Sequence, residues 1–240
     1  MSAVSNSAVS NQHKSRKLPS LVAAQFQLHA TQSPDRVEIE TYISEKFYTA
    51  YGASVSHFLP WLIELQCDNI RSAACGLKDA HSGKLYLENY LDMPIEQAIS
   101  QATKRPIHRS NILEIGNLVS TWKGSSQLLF SFITVFANHL GYEWVAFTAT
   151  AEVKSLLDKM QLPVTVIAAA QAKYLGVAAA AWGSYYATNP QVMIGHIPPA
   201  MSVLAQHRIM SPLTAHFMES INDDVQNAVR QWRRHYIWNA

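Results

Sequence analysis

Glu114 and Glu88 are the side chains of this sequence best suited to chemistry, because each carries a carboxylate within an apolar stretch that reads as a strand: Ile112 to Thr121 for the first, Leu85 to Leu91 for the second. An unpaired charge in such a setting is costly, so each calls for a partner or a function. A carboxylate in a partly apolar cleft can accept a proton from an attacking amine, directly or through water. A buried ion pair with Arg109, Lys78 or Arg71 accounts for the same residues structurally, and the spacing leaves both readings open. Directly after Glu114, the run from Gly116 to Phe130 reads as a strand end, a glycine turn and a helix N-terminus. That succession presents unpaired backbone N–H groups to an anion. Its turn residues are Lys123, Gly124, Ser125 and Ser126; alternatively, Gly124 only reverses the chain and Lys123 is a solvated charge.

Other polar groups are candidates of a second rank. Asn117, Thr148 and Thr150 can orient a polar acceptor, although Asn and Thr at strand ends often only satisfy backbone groups. Tyr185 and Tyr186 follow Trp182-Gly183, and the Tyr186 phenol can protonate a departing thiolate; packing under a loop is the competing account. The ten histidines show no paired helical spacing, and Cys67 and Cys75 have no further cysteine beside them, so no metal site is expected and the two thiols read as buried. Neither a Gly-x-Ser-x-Gly elbow nor a Gly-x-Gly-x-x-Gly run is present, which argues against an α/β-hydrolase lipase and a dinucleotide fold. A net charge of +2 with scattered basic residues argues against nucleic acid.

The elements that must position these groups follow from periodicity. With 48% hydrophobic and 15% charged residues, 240 residues can bury one good core. Residues 1 to 34 carry no acidic side chain and are rich in Ser, Asn and Gln, which predicts a mobile arm. Ile39, Ile43, Phe47 and Tyr51 recur at helical spacing and stop at Gly52. Trp61 to Cys67 and Ile70 to Leu77 read as strands joined at Asp68-Asn69, followed by the strand around Glu88 and a short helix from Pro94. Strand 112 to 121, helix 125 to 140 with a stripe of Leu129, Ile133, Phe136 and Leu140, strand 144 to 148, helix 152 to 160 and strand 164 to 168 then alternate. The alternation predicts an α/β fold with a mixed central sheet sandwiched by helices over residues 35 to 210. Apolar residues 164 to 182 read as core, and 211 to 240 as a C-terminal helix packed on the domain.

Several blocks occur together: Leu85-Tyr86-Leu87-Glu88-Asn89-Tyr90-Leu91-Asp92 with Pro94-Ile95-Glu96, then Glu114-Ile115-Gly116-Asn117-Leu118, then Trp144 to Thr150, then Trp182-Gly183-Ser184-Tyr185-Tyr186. In this order they resemble the thermostable hemolysin family of bacterial proteins, over roughly residues 36 to 197. That family's strand and helix order is similar to N-acyltransferases and autoinducer synthases that use acyl thioesters. The resemblance implies a GNAT-like acyltransferase architecture, with acyl-CoA or the phosphopantetheine of an acyl carrier protein as donor and a small-molecule amine as acceptor. It also implies a donor side formed by Val119, Thr121, Lys123, Gly124, Ser125 and Ser126, and gives Glu114 a place comparable to an acidic residue near the incoming amine. The acyltransferase turn pattern, Gln or Arg, two residues, Gly, one residue, Gly or Ala, falls on Thr121, Gly124 and Ser126. Only the central glycine matches, which disfavours tight pyrophosphate binding and suits a carrier-protein donor better.

The family name implies a different activity, membrane lysis by surface insertion, and a silent acyl-binding module is a third expectation. The start of the sequence lacks the charged-then-apolar order of a secretory signal, and polar residues interrupt the long apolar runs. The expectation is therefore a cytoplasmic enzyme; the tail bearing Arg230, Trp232, Arg233, Arg234, Tyr236 and Trp238 can make peripheral contact with an anionic membrane or an acidic carrier protein, or is a helix end whose arginines meet the last carbonyls and solvent.

Overall fold

Asp68 and Asn69 both take positive φ, 53° and 59°, which a two-residue hairpin needs for its twist to match that of its strands. They join Trp61–Cys67 to Ile70–Asp79, two neighbours in a seven-stranded sheet. A computed structural model describes residues 24–121 and 123–206, with 211 and 232. Along it lie β1 (Ala24–His29), α1 (Arg36–Tyr51), β2 (Trp61–Cys67), β3 (Ile70–Asp79), α2 (Ile95–Thr103), β4 (Ile112–Ser120) and α3 (Lys123–Leu140). The chain continues through β5 (Trp144–Ala149), α4 (Ala151–Lys159), β6 (Val164–Ala169), β7 (Gln191–His196) and α5 (Ile197–Gln206). The strand order is β1-β2-β3-β4-β5-β7-β6, and β4 with β5 is its parallel pair. This is the expected mixed sheet with helices on both faces.

Side-chain alternation divides the core between the two faces. On one, α1 buries Ile39, Ile43 and Phe47 against Leu62, Ala74 and Val119, while Ile95 and Ile99 of α2 meet Ile112, Ala146 and Ile194. On the other, Leu129, Phe132, Ile133 and Phe136 of α3 cover Ile63, Leu65, Leu113 and Ile115, joined by Leu157 of α4 and Leu204 of α5. Gly52 ends α1 at φ 65°, its N–H donating to the Tyr48 carbonyl at 2.8 Å. Trp232 packs beside Trp61, Phe136 and Tyr142 on the α3 face. The rest of the helix expected over 211–240, apart from residue 211, lies outside the described residues.

Three expectations need correction. Residues 24–29 are not part of an arm: they form β1, paired with β2 from Ala24↔Cys67 to His29↔Leu62. Leu85 to Leu91 is not a strand. Residues 86–90 form a 3-10 turn, because carboxylates bond its N-terminal N–H groups and leave the segment no need of a sheet partner. Nor is the whole apolar stretch 164–182 core. β6 is an edge strand, and the 3-10 segment Ala172–Trp182 has no buried residue, with Val177 97% exposed. Among the described residues no helix is long and apolar enough to cross a membrane.

Beyond Ile115↔Phe147 the parallel pairing of β4 and β5 stops. β4 runs on along β3 to Ser120 and β5 along β7 to Ala149, so a gap opens between them. A bulge lies at this point: Gly76 faces Gly116 while Ala74 faces Val119, placing one extra residue on β4. Asn117 within it is left-handed, φ 51°. Its Oδ1 accepts the Leu59 N–H and its Nδ2 donates to the His57 carbonyl, both at 3.0 Å. The loop before β2 is thereby pinned over the sheet, and Leu59 packs so closely that a Cβ on Gly76 would stand 2.8 Å from the Leu59 Cβ.

Two glycines of the surface segment share a backbone conformation that side chains resist, φ 55°, ψ −130° at Gly176 and φ 53°, ψ −127° at Gly183. Only Gly183 is also crowded: a Cβ there would overlap the Tyr51 carbonyl oxygen, whereas at Gly176 it would meet nothing within 4 Å. Gly176→Ala should cost at most the backbone strain, about 1–3 kcal/mol. Gly183→Ala should cost clearly more, by denaturant titration of both variants. Equal losses would show that residues 181–184 shift freely away from α1.

Candidate functional site

Glu114 lies on β4 one pleat before the gap, on the α1 face of the sheet, and is 3% exposed. Its Oε1 accepts the Leu87 N–H at 2.8 Å and its Oε2 the Tyr86 N–H at 3.1 Å. Burial pushes its pKa up to about 7, although the two N–H donors and Lys78 pull it down. A carboxyl so placed exchanges its proton near neutral pH, which suits a general base.

Its surroundings form a cavity of about 900 Å³ that occupies the gap between β4 and β5. This is at the upper end of the about 300–1,000 Å³ typical of ligand pockets. Walls come from both faces of the sheet. On one side stand Phe47 and Tyr51 of α1, Tyr86, Tyr90, Trp182 and Tyr185; on the other, Ser126 and Phe130 of α3 with Val153 and Leu156 of α4. Glu114, Asn117, Val119, Thr148 and Thr150 also line it. The N-terminal part of α3 thus borders the cavity through Ser126 and Gln127, and the unpaired N–H groups of a helix terminus favour an anion.

Several sequence candidates take other positions. Glu88 does not line the cavity. It forms a two-pronged ion pair with Arg109, at 2.6 and 2.9 Å, and accepts the Leu85 and Ile95 N–H groups at 2.7 and 2.8 Å. Burial alone would raise its pKa, but Arg109 and the two N–H donors outweigh it and hold the carboxyl below its usual range. Here the structural alternative describes the geometry. Gly124 is inside the first turn of α3, which begins at Lys123, two residues earlier than the pattern suggested. The Lys123 side chain and residue 122 lie outside the described ones. Ser125 is fully buried, and Thr121 turns to α1, its hydroxyl 2.9 Å from that of Tyr42.

Asn117 faces the cavity with both ends of its amide engaged by the 57–59 backbone, so anchoring the loop is its first task. Thr150 stands at the N-terminal end of α4 without capping it through its side chain, and its hydroxyl holds the Glu152 carboxyl below the usual range. Tyr186 stands behind Tyr90: their hydroxyls are 2.6 Å apart and only Tyr90 reaches the cavity wall. Burial, above all, keeps both phenols protonated, Tyr186 being pushed up to about 12. Residues the pattern did not single out are His57, stacked on Tyr86 at 5.8 Å, together with Phe47, Tyr51 and Trp182. For Trp182 the aromatic density of 182–186 was the only signal; His57, Phe47 and Tyr51 carried none for the site.

Solved structures share this arrangement of strands and helices. The AHL synthase LasI superposes with a TM-score of 0.51 at 11% identity, covering 72% of this chain and 90% of its own. TofI gives 0.53 in its apo form and 0.54 in a ternary complex with an inhibitor and MTA, each at 10% identity over 78% of this chain and 99% of TofI. The fold is therefore the GNAT-like one shared with these structures. No protein of curated function matches in sequence. Residues 29–201, which hold the parted strands, Glu114 and the cavity walls, match the family described as thermostable hemolysin, and the chain belongs to that family.

Proposed function

We propose that the protein is an N-acyltransferase that moves a fatty acyl group from an acyl thioester to the amine of a small molecule. The observation that carries this reading is Glu114, a buried carboxylate at the wall of a cavity that opens where β4 and β5 part. LasI, named as an AHL synthase, and TofI, seen with MTA, lend it support through the shared fold. The donor is acyl-CoA or the phosphopantetheine arm of an acyl carrier protein.

In this reading the pantetheine amides pair with the open edge of β4 beyond Ile115, as an added strand would. The anionic end of the arm lies toward the first turn of α3, and the acyl chain among the aliphatic side chains of β4 and α4 beside Phe130. The amine enters from the aromatic side and attacks the thioester carbonyl. A C–N bond forms and the C–S bond breaks, the Glu114 carboxylate takes the proton released from nitrogen, and the thiolate takes one from the Tyr90 hydroxyl or from water.

Two measurements test it. Glu114→Gln removes the base and also one of two acceptor oxygens, so its NH₂ must face the N–H of Tyr86 or Leu87. Stability should fall by about 1–3 kcal/mol. Turnover of folded protein should fall on the order of 100-fold. In the parent, the carboxylate form predominates above about pH 7, so the rate should climb with pH up to that point and then level off. A variant with the parent's rate and the parent's pH limb would remove Glu114 as the base. For the donor, Ser126→Phe places a ring in the α3 side of the cavity and should weaken binding of an acyl-pantetheine thioester at least tenfold, by calorimetric titration. Unchanged affinity in the folded variant would move the donor elsewhere.

A further inference from the structure

The two halves of the cavity differ in chemistry. On the α3 and α4 side the apolar lining is Leu118, Phe130, Val153 and Leu156, with Ser126, Gln127 and Ser155 among them and Glu152 and Lys159 on α4. On the α1 side aromatic rings predominate, beside Lys46, Thr49 and Ala50. Trp182 is the hub there, its ring centroid 5.9 Å from Tyr86, 5.4 Å from Tyr185 and 5.8 Å from Phe47; Tyr90 adjoins Tyr86 at 6.3 Å.

Among the described residues two charged side chains line this half, Glu114 and Lys46. The Lys46 ammonium is drawn off over the ring of Tyr42, 5.3 Å from its centroid, and Tyr42 is not part of the wall. Burial keeps the Tyr86, Tyr90 and Tyr185 phenols protonated, so they offer neutral ring faces. Ring faces carry negative quadrupole density and attract a cation, most strongly when it is desolvated. The rings are also held in place: the Ser54 N–H donates to the Ala181 carbonyl at 2.7 Å, and the Ser184 N–H to the Tyr51 carbonyl at 2.8 Å. Such pre-organisation lowers the cost of binding.

We infer that Tyr86, Tyr90, Trp182 and Tyr185 form a cage for an alkylammonium or other onium cation, with Glu114 completing it. The acceptor is thus a cationic amine; only this role, not the cation site itself, rests on the acyltransferase reading. An acyl chain, lacking charge, has no use for the cage and takes the α3 and α4 half.

Choline and its neutral isostere 3,3-dimethylbutan-1-ol have the same shape and separate charge from size. Titrated calorimetrically into the unmodified protein, choline should bind at least tenfold more tightly. Trp182→Leu and Tyr86→Leu should each weaken choline about tenfold, and Tyr86→Phe, which keeps the ring face, should not. Equal affinity for choline and the isostere, or no choline binding, would overturn the cage, as would indifference to Trp182→Leu in a folded variant. An acyl-pantetheine thioester titrated into the same protein separates the two ideas. Selective choline binding without thioester binding sinks the acyltransferase and leaves the cage standing; thioester binding without choline preference does the reverse.

Discussion

One extra residue in β4 decides the shape of this molecule's centre. Asn117 takes a left-handed backbone and uses both ends of its amide to hold the chain at His57 and Leu59. Just before this bulge β4 leaves β5, while its pairing with β3 resumes beyond it. The unpaired N–H and C=O groups of a parted strand are tolerable only where water or a ligand can reach them. The bulge, the pinned loop and the cavity are in this sense one feature. Gly76 and Gly116 belong to it as well, because a side chain on either would displace Leu59.

Glu114 links that gap to the aromatic wall. By accepting two successive backbone N–H groups it replaces the ladder that residues 86–90 would otherwise need, and so fixes Tyr86 and Tyr90 at the cavity. Glu88 and Arg109 brace the same segment from behind, joined by Glu96 at 2.6 Å. A two-pronged guanidinium pair with every carboxylate oxygen also bonded to backbone is a rigid arrangement. The two acidic residues that look alike in the sequence thus divide the work: one holds the scaffold, the other faces the cavity.

Much of the fold was legible because periodicity survives in most elements. Ile39, Ile43 and Phe47 announce α1, Asp68-Asn69 announces its hairpin, and the strand and helix alternation from 112 to 168 announces the layered sheet. Residues 85–91 misled because the Tyr86 and Leu87 N–H groups are bonded by the Glu114 side chain, 28 and 27 residues away, which alternation cannot register. In β1 the apolar set Ala24, Phe26 and Leu28 alternates properly with Gln25 and Gln27, but the polar composition around it masked the signal. The stretch 172–182 misled in the other direction, since apolar composition suggests burial while glycines at 176 and 183 keep it in turns on the surface. Within the site, a carboxylate in an apolar strand marked Glu114 correctly as unusual. The wall around it comes from separated stretches of the sequence that only the fold brings together.

Glu114 also places stability and reactivity in opposition. Its folded pKa, about 7, lies above the ordinary carboxyl value of 4.5, so the folded protein holds a proton that the unfolded chain releases. The stabilisation this gives is full below about pH 4.5, declines as pH rises, and is gone above about pH 7. Across that window it amounts to about 3 kcal/mol. The form that can accept a proton from an amine is therefore the form the fold tolerates least. A cation bound against the ring faces reverses the balance, because it favours the carboxylate electrostatically while the aromatic wall excludes water. The base would then ionise when an ammonium group arrives and stay largely protonated in the empty cavity at mildly acidic pH. On this account the cage and the carboxylate are coupled: the same cation that the rings bind prepares the group that must take its proton.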